Sequence, residues 1–198
     1  MILPIVIESQ ISRATPPERL RGQLRRAVAA GYKLIELWRD GTLIFAATGD
    51  EDFLCWGRRQ SGMDFLRINP LVLIESTYLF AELSRLILEK AHPVPKKIHF
   101  VIDLDNMILD EKPCVLAPGP IGSLGWQFGR DSRHPPQTRA TFVVQVNGSP
   151  IHPGRVAFLM VREVYRWFGI EDESIPYTER EGDEVVISPQ QIIKAGAG

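Results

Sequence analysis

The chain has 198 residues, 44% of them hydrophobic and 24% charged, with a formal net charge of -1. That length suits one compact domain, expected over 1–198, with any subdivision near 57–63 or 118–139. The near-zero charge excludes a whole-protein field that would gather nucleic acid or an acidic membrane, so such binding needs a local patch. The two cysteines, Cys55 and Cys114, cannot build a disulfide framework and lack metal-ligand spacing. Reduced thiols and a cytoplasmic location are the expectation.

In chain order, Leu3 to Glu8 reads as a strand. Met1 to Ile7 is apolar but short and lacks the basic start and small-residue cleavage site of a signal peptide. Thr15 with Pro16 and Pro17 predicts a helix start, and the helix runs to about Ala30, where Gly31 stops it. Asp40-Gly41 between the apolar runs Tyr32 to Arg39 and Thr42 to Ala47 predicts a hairpin with positive φ in its turn. Asp50 to Gly57 is expected as a short helical turn, and Met63 to Ile68 as a strand.

Asn69-Pro70 opens the longest helix, ending near Lys90 or Ala91. Glu75, Glu82, Arg85 and Glu89 share one face, and apolar residues cover most of the rest. A stripe that wide implies burial on two sides, in the core or in a dimer. The charges that interrupt it argue against a transmembrane span, so no membrane partner is expected. Ile98 to Ile102 is the next strand, with Cys114 to Leu116 as its expected hairpin partner. Pro118 to Arg139 is a long loop rich in Gly and Pro, of the kind that is usually functional or disordered. Thr141 to Val146 reads as a strand, and Pro153 starts a helix through Phe168. An acidic run, Glu171 to Glu184, precedes a short strand Val185 to Ile187 and a last turn after Pro189. Hairpins mixed with strand–helix–strand units predict an α/β (α+β) fold, a mixed sheet with about three main helices packed on it.

The chemistry-bearing candidates are few. Asp103 and Asp105 stand two positions apart at the end of an apolar strand, a natural place for a hard cation. The string Val101-Ile102-Asp103-Leu104-Asp105-Asn106 resembles the first motif of the haloacid-dehalogenase-like phosphohydrolases. The resemblance implies Asp103 as nucleophile, Asp105 as acid/base and Mg²⁺ between phosphate and carboxylate. Met107 stands where that family usually has Thr or Val, and no later lysine or acidic pair closes a strand. The plain structural alternative is that both carboxylates shape a turn.

The long loop combines Trp126, Phe128, Arg130, Arg133, His134 and Arg139, which suits stacking on bases and holding phosphate. Arg155, Arg162 and Arg166 form a stripe on the helix after Pro153. Such a stripe can lie along a nucleic-acid backbone, or can be a solvated face paired with Glu163 or with acids after Gly169. The acids Glu36, Asp40, Glu51 and Asp52 lack the second strand and partner acid of a nuclease site. His92, His99, His134 and His152 are not spaced as metal pairs.

The expected function is a non-enzymatic binding or regulatory and interaction module. Its ligand site would be Trp126, Phe128, Arg130, Arg133, His134, Arg139, Arg155 and Arg162, holding nucleic acid or another phosphate-bearing ligand. No cofactor is expected on that reading, and the partner surface is the apolar helix 70–90 in a homodimer. The alternative is a Mg²⁺-dependent phosphohydrolase, with Asp103 and Asp105 catalytic and metal-binding.

Overall fold

The computed structural model describes residues 4–10, 34–38, 41–48, 55–56, 67–90, 95–109, 111–116, 133–147 and 150–196. The elements are β1 Pro4–Gln10, β2 Leu34–Leu37, β3 Leu43–Thr48, β4 Cys55–Trp56, β5 Arg67–Ile68, α1 Pro70–Leu88, β6 Lys97–Leu104 and β7 Ile108–Leu109. After them come β8 Lys112–Pro113, β9 Val115–Leu116, β10 Ala140–Asn147, α2 Pro153–Trp167, a 3-10 turn Asp172–Ser174, β11 Thr178–Glu181, β12 Glu184–Ile187 and α3 Pro189–Gly196. This is a mixed α+β fold. The helix expected from Thr15 to Ala30 lies outside the described residues.

The main sheet has five strands in the order β10-β6-β1-β3-β2. Every pair in it is antiparallel. Among the described residues β5 pairs parallel with β9, in a small sheet that also holds β4. Side chains of directly paired residues point to one face. Ile35 and Leu37, Leu43 and Phe45, Ile102 and Phe100, and Phe142 and Val144 therefore share a face.

Both long helices pack on that face. Phe80 of α1 meets Phe100 edge-on at 6.4 Å, and Trp167 of α2 meets Phe142 at 6.1 Å. Such contacts add about 0.5–1.5 kcal/mol each beyond the area they bury. The core between sheet and helices includes Leu73, Ile74, Ile98, Ile102, Leu104, Val161 and Val164. Thr77, Ala81 and Ser84 of α1 are also buried, and the two hydroxyls donate to carbonyls four residues back. Their small size lets neighbouring elements approach, and α1 contacts α2. The wide apolar stripe of α1 is thus largely consumed inside the chain, between the sheet and α2.

The helix ends follow local chemistry. The Asn69 side-chain oxygen accepts from the N–H groups of Leu71 and Val72 at 3.0 and 3.4 Å, with Pro70 at the first helical position. His152 caps α2 by accepting from the Arg155 N–H at 3.2 Å. Gly169, at φ +72°, ends α2 in a Schellman turn, with Ile170 N–H to Tyr165 O and Gly169 N–H to Arg166 O. At Gly154 a β-carbon would stand 2.6 Å from the Ile187 carbonyl oxygen, so the first turn of α2 lies directly against β12.

Several elements depart from expectation. The Asp40-Gly41 hairpin forms, but Trp38 N–H donates to Thr42 O, leaving three residues in the turn, with Gly41 at φ +84°. A three-residue loop with glycine in the left-handed position is the next most common hairpin closure. Cys55 and Trp56 form a strand against β5 in place of the expected helical turn. Val115–Leu116 pairs with β5, because both sides of β6 are already taken by β1 and β10. The acidic run holds strand β11, hairpinned to β12 through Gly182 and Asp183.

Candidate functional site

Strand β6 extends two residues past the apolar run, so Asp103 lies inside the strand. It sits opposite Thr141 of β10, and both point away from the helices. Asp103 is buried, at 7% exposure. Burying a carboxylate costs several kcal/mol unless it is paired and hydrogen-bonded. Both conditions are met by the neighbouring strand. The Thr141 hydroxyl donates to Asp103 Oδ1 at 2.7 Å, and the Arg139 guanidinium lies 3.2 Å from Oδ2.

Asp105 lies just beyond the strand, and its Oδ1 accepts the Asn106 N–H at 3.0 Å. Asn106 is left-handed, with φ +57°. This turn carries Met107 into the core at 1% exposure. It is stitched to later segments by Met107 N–H to Thr138 O and Cys114 N–H to Met107 O, both 2.8 Å. The two carboxylates therefore have separate local tasks, one across the strand pair and one in the turn. Among the described residues no group of three or more His, Cys, Asp or Glu side chains could hold a metal ion.

The candidate ligand-binding residues are divided. Trp126, Phe128 and Arg130 lie outside the described residues. Arg133 and His134 are exposed, and the backbone of Arg133 bridges to Leu116. Arg139 contacts Asp103 on the face opposite the helices, whereas Arg155 and Arg162 lie on α2, on the helix-covered side. The structure does not bring Arg139 together with the α2 arginines into one surface.

The α2 arginines each face an acid. Arg155 lies 3.0 Å from Glu184, and Arg162 lies 3.3 Å from Glu163. Arg166 makes a two-pronged pair with Asp172, both contacts at 2.7 Å. That pair raises the Arg166 pKa and fixes the 3-10 turn to the end of α2. A shallow depression there is lined by Arg166, Gly169, Ile170 and three acids, Glu171, Asp172 and Glu173. Its arginine is already committed to Asp172. His152 does not read as a metal ligand: one ring nitrogen caps α2 and the other lies 2.8 Å from Glu181. With Arg155 and Glu184, this contact fixes the β11–β12 hairpin to the start of α2.

Burial pushes the Cys114 thiol up, beyond the range where thiolate forms at neutral pH, which suits a packed residue and not a nucleophile. Tyr165 is fully buried, its hydroxyl has no hydrogen-bond partner, and burial raises its pKa as well. No helix among the described residues is long and apolar enough to cross a membrane.

Asp103 and the α2 arginines are paired with neighbouring groups, whereas several large apolar side chains are not covered. Ile35 and Leu37 of β2, Leu79 and Leu86 of α1, and Val143 of β10 are 45–61% exposed. Sequence reasoning did not single out Val143. The available signal was the uncharged, alternating string Ala140 to Asn147. Comparison with protein-family models, with curated proteins and with solved structures finds no match for this chain.

Proposed function

We propose that this chain is a non-enzymatic interaction module that works through protein contact. One contrast carries the reading. The candidate acid of β6 and the arginines of α2 have internal partners: Asp103 with Arg139 and Thr141, Arg155 with Glu184, Arg162 with Glu163, Arg166 with Asp172. The side chains left open to solvent at the sheet edges and on α1 include large apolar ones, Ile35, Leu37, Val143, Leu79 and Leu86. Desolvated apolar surface drives protein association, whereas phosphate recognition needs uncommitted cations.

A phosphohydrolase would need Asp103 free for in-line attack and a cation held beside it. Arg139 and Thr141 already occupy both Asp103 oxygens, which favours a structural carboxylate. The test is a thermal-shift screen of the whole chain with and without Mg²⁺, against nucleotides, sugar phosphates and short DNA and RNA. A ligand that binds the folded state alone raises the melting temperature. The interaction reading predicts no shift with any of them. A Mg²⁺-dependent shift abolished by Asp103→Asn would replace it with the phosphohydrolase, and a salt-sensitive shift with nucleic acid would replace it with phosphate binding.

A further inference from the structure

We infer that the outer edge of β10 pairs antiparallel with β10 of a second copy of the chain, about a two-fold axis at Val143. This deepens the interaction reading and rests on it. β10 ends the main sheet: β6 bonds one side of it, and no described residue forms a strand on the other. An open strand edge presents unpaired N–H and C=O groups, and proteins that stay single protect such edges with charge, proline, bulges or shortness. The opposite edge, β2, has such protection. It is four residues long and carries Glu36. β10 has none: its eight residues, ATFVVQVN, include no charge, proline or glycine, and it runs in unbroken register with β6.

The strand also fits itself. With Val143 opposite Val143 of the other copy, Thr141 falls opposite Gln145 and Ala140 opposite Val146. Phe142 falls opposite Val144, and Arg139 opposite Asn147. No like charges meet. Residues of even number, which face the helices, stay on the helix side in both copies, so the two sheets join into one with all helices on one face. The contact is isologous and closes at two copies. Val143, 59% exposed and central in the strand, then packs against its own counterpart.

The outer side of α1 is a weaker candidate. Leu79 and Leu86 stand apart on the helix beside exposed Glu75, and Arg85 with Glu82 and Glu89 forms an ion-pair cluster on the same helix.

Sedimentation velocity of the full chain at micromolar concentration tests the assignment. Wild type should sediment as a dimer. Val143→Lys and Val143→Glu should each sediment as monomers, because the exposed side chain then meets its own charge, and should lack the rise of melting temperature with protein concentration that dimerisation gives wild type. An equimolar mixture of the two should restore the dimer, since Lys then faces Glu. The double substitution Leu79→Lys/Leu86→Lys should leave the dimer intact. A monomeric wild type, a dimer that survives at Val143→Lys, a mixture that stays monomeric, or a dimer lost only in the α1 variant would each overturn the assignment. A monomeric wild type leaves the interaction reading standing, whereas a ligand-induced thermal shift removes that reading without changing the sedimentation result.

Discussion

β6 and β10 have the same length and lie side by side, paired without a break from Leu104 opposite Ala140 to Lys97 opposite Asn147. Their burial differs sharply. β6 is buried nearly throughout, while β10 alternates between half-buried and exposed. The contrast is clearest where the two strands present the same residue. Val101 and Val143 face each other across the ladder, yet Val101 is 7% exposed and Val143 is 59% exposed. Side-chain chemistry is constant there, so position in the sheet sets burial. β6 has a strand on each side, and β10 has one. A strand composed like an interior strand but placed at an edge has association as its natural outcome.

The contrast can be broken by substitution. Phe100→Ala, in the middle of β6, removes the ring that meets Phe80 and should cost about 3–5 kcal/mol by urea denaturation. Val143→Ala, measured at a concentration low enough to keep the chain monomeric, should stay within about 0.5 kcal/mol, as surface substitutions do. Equal costs at the two sites would remove the distinction between the strands.

Asp103→Ala tests the polar tie between the strands. Removing one partner of a buried ion pair costs about 3–5 kcal/mol. Arg139 is 39% exposed and can turn to water, so the expected loss is smaller, on the order of 2–3 kcal/mol. A double-mutant cycle with Arg139→Ala measures the coupling, and additive losses would mean the two side chains do not act together. Gly154→Ala tests how closely the first turn of α2 is seated against β12. A β-carbon 2.6 Å from the Ile187 carbonyl must push helix and strand apart, at an expected cost of about 1–3 kcal/mol. No change in the urea midpoint would mean that this contact is loose.

The smallest effect should come from the half-buried ion pair of Arg85 with Glu82 on α1. The Arg85 hydrogen bonds hold the Glu82 carboxyl below its ordinary pKa. A lowered carboxyl pKa contributes stability above the unfolded value and loses it as pH falls through the folded value. Glu82→Gln should therefore cost a few tenths, about 0.3–0.5 kcal/mol, at neutral pH and nothing at the acid end of the titration. A pH-independent difference between variant and wild type would contradict the pairing.

What could be read from the sequence was local. Asn69-Pro70, His152-Pro153 and Gly169 mark helix ends because capping involves residues within one turn of each other. Asp40-Gly41 marks a hairpin for the same reason. The role of Asp103 was not legible, since its partners Arg139 and Thr141 lie more than thirty residues away and meet it only through the β6–β10 ladder. Without them, a strand-end Asp-x-Asp looks like a cation site. The width of the α1 stripe had two readings, and only the sheet and α2 together account for most of it. Strand β11 was hidden because Thr178 to Glu181 is too polar to show a period, although Gly182-Asp183 before Val185 to Ile187 was a usable turn signal. The pairing of β9 with β5 joins segments far apart in the chain, and no local pattern specifies such a parallel contact.

Amide hydrogen exchange measured across protein concentration addresses the difference between β6 and β10 most directly. At low concentration the β6 amides should be uniformly protected, while β10 shows alternating protection, bonded only on its β6 side. As concentration rises, the unprotected alternate amides of Ala140–Asn147 should slow, while those of β2 and α1 stay unchanged. Exchange in β10 that does not depend on concentration, or protection that grows instead along α1, would contradict the account.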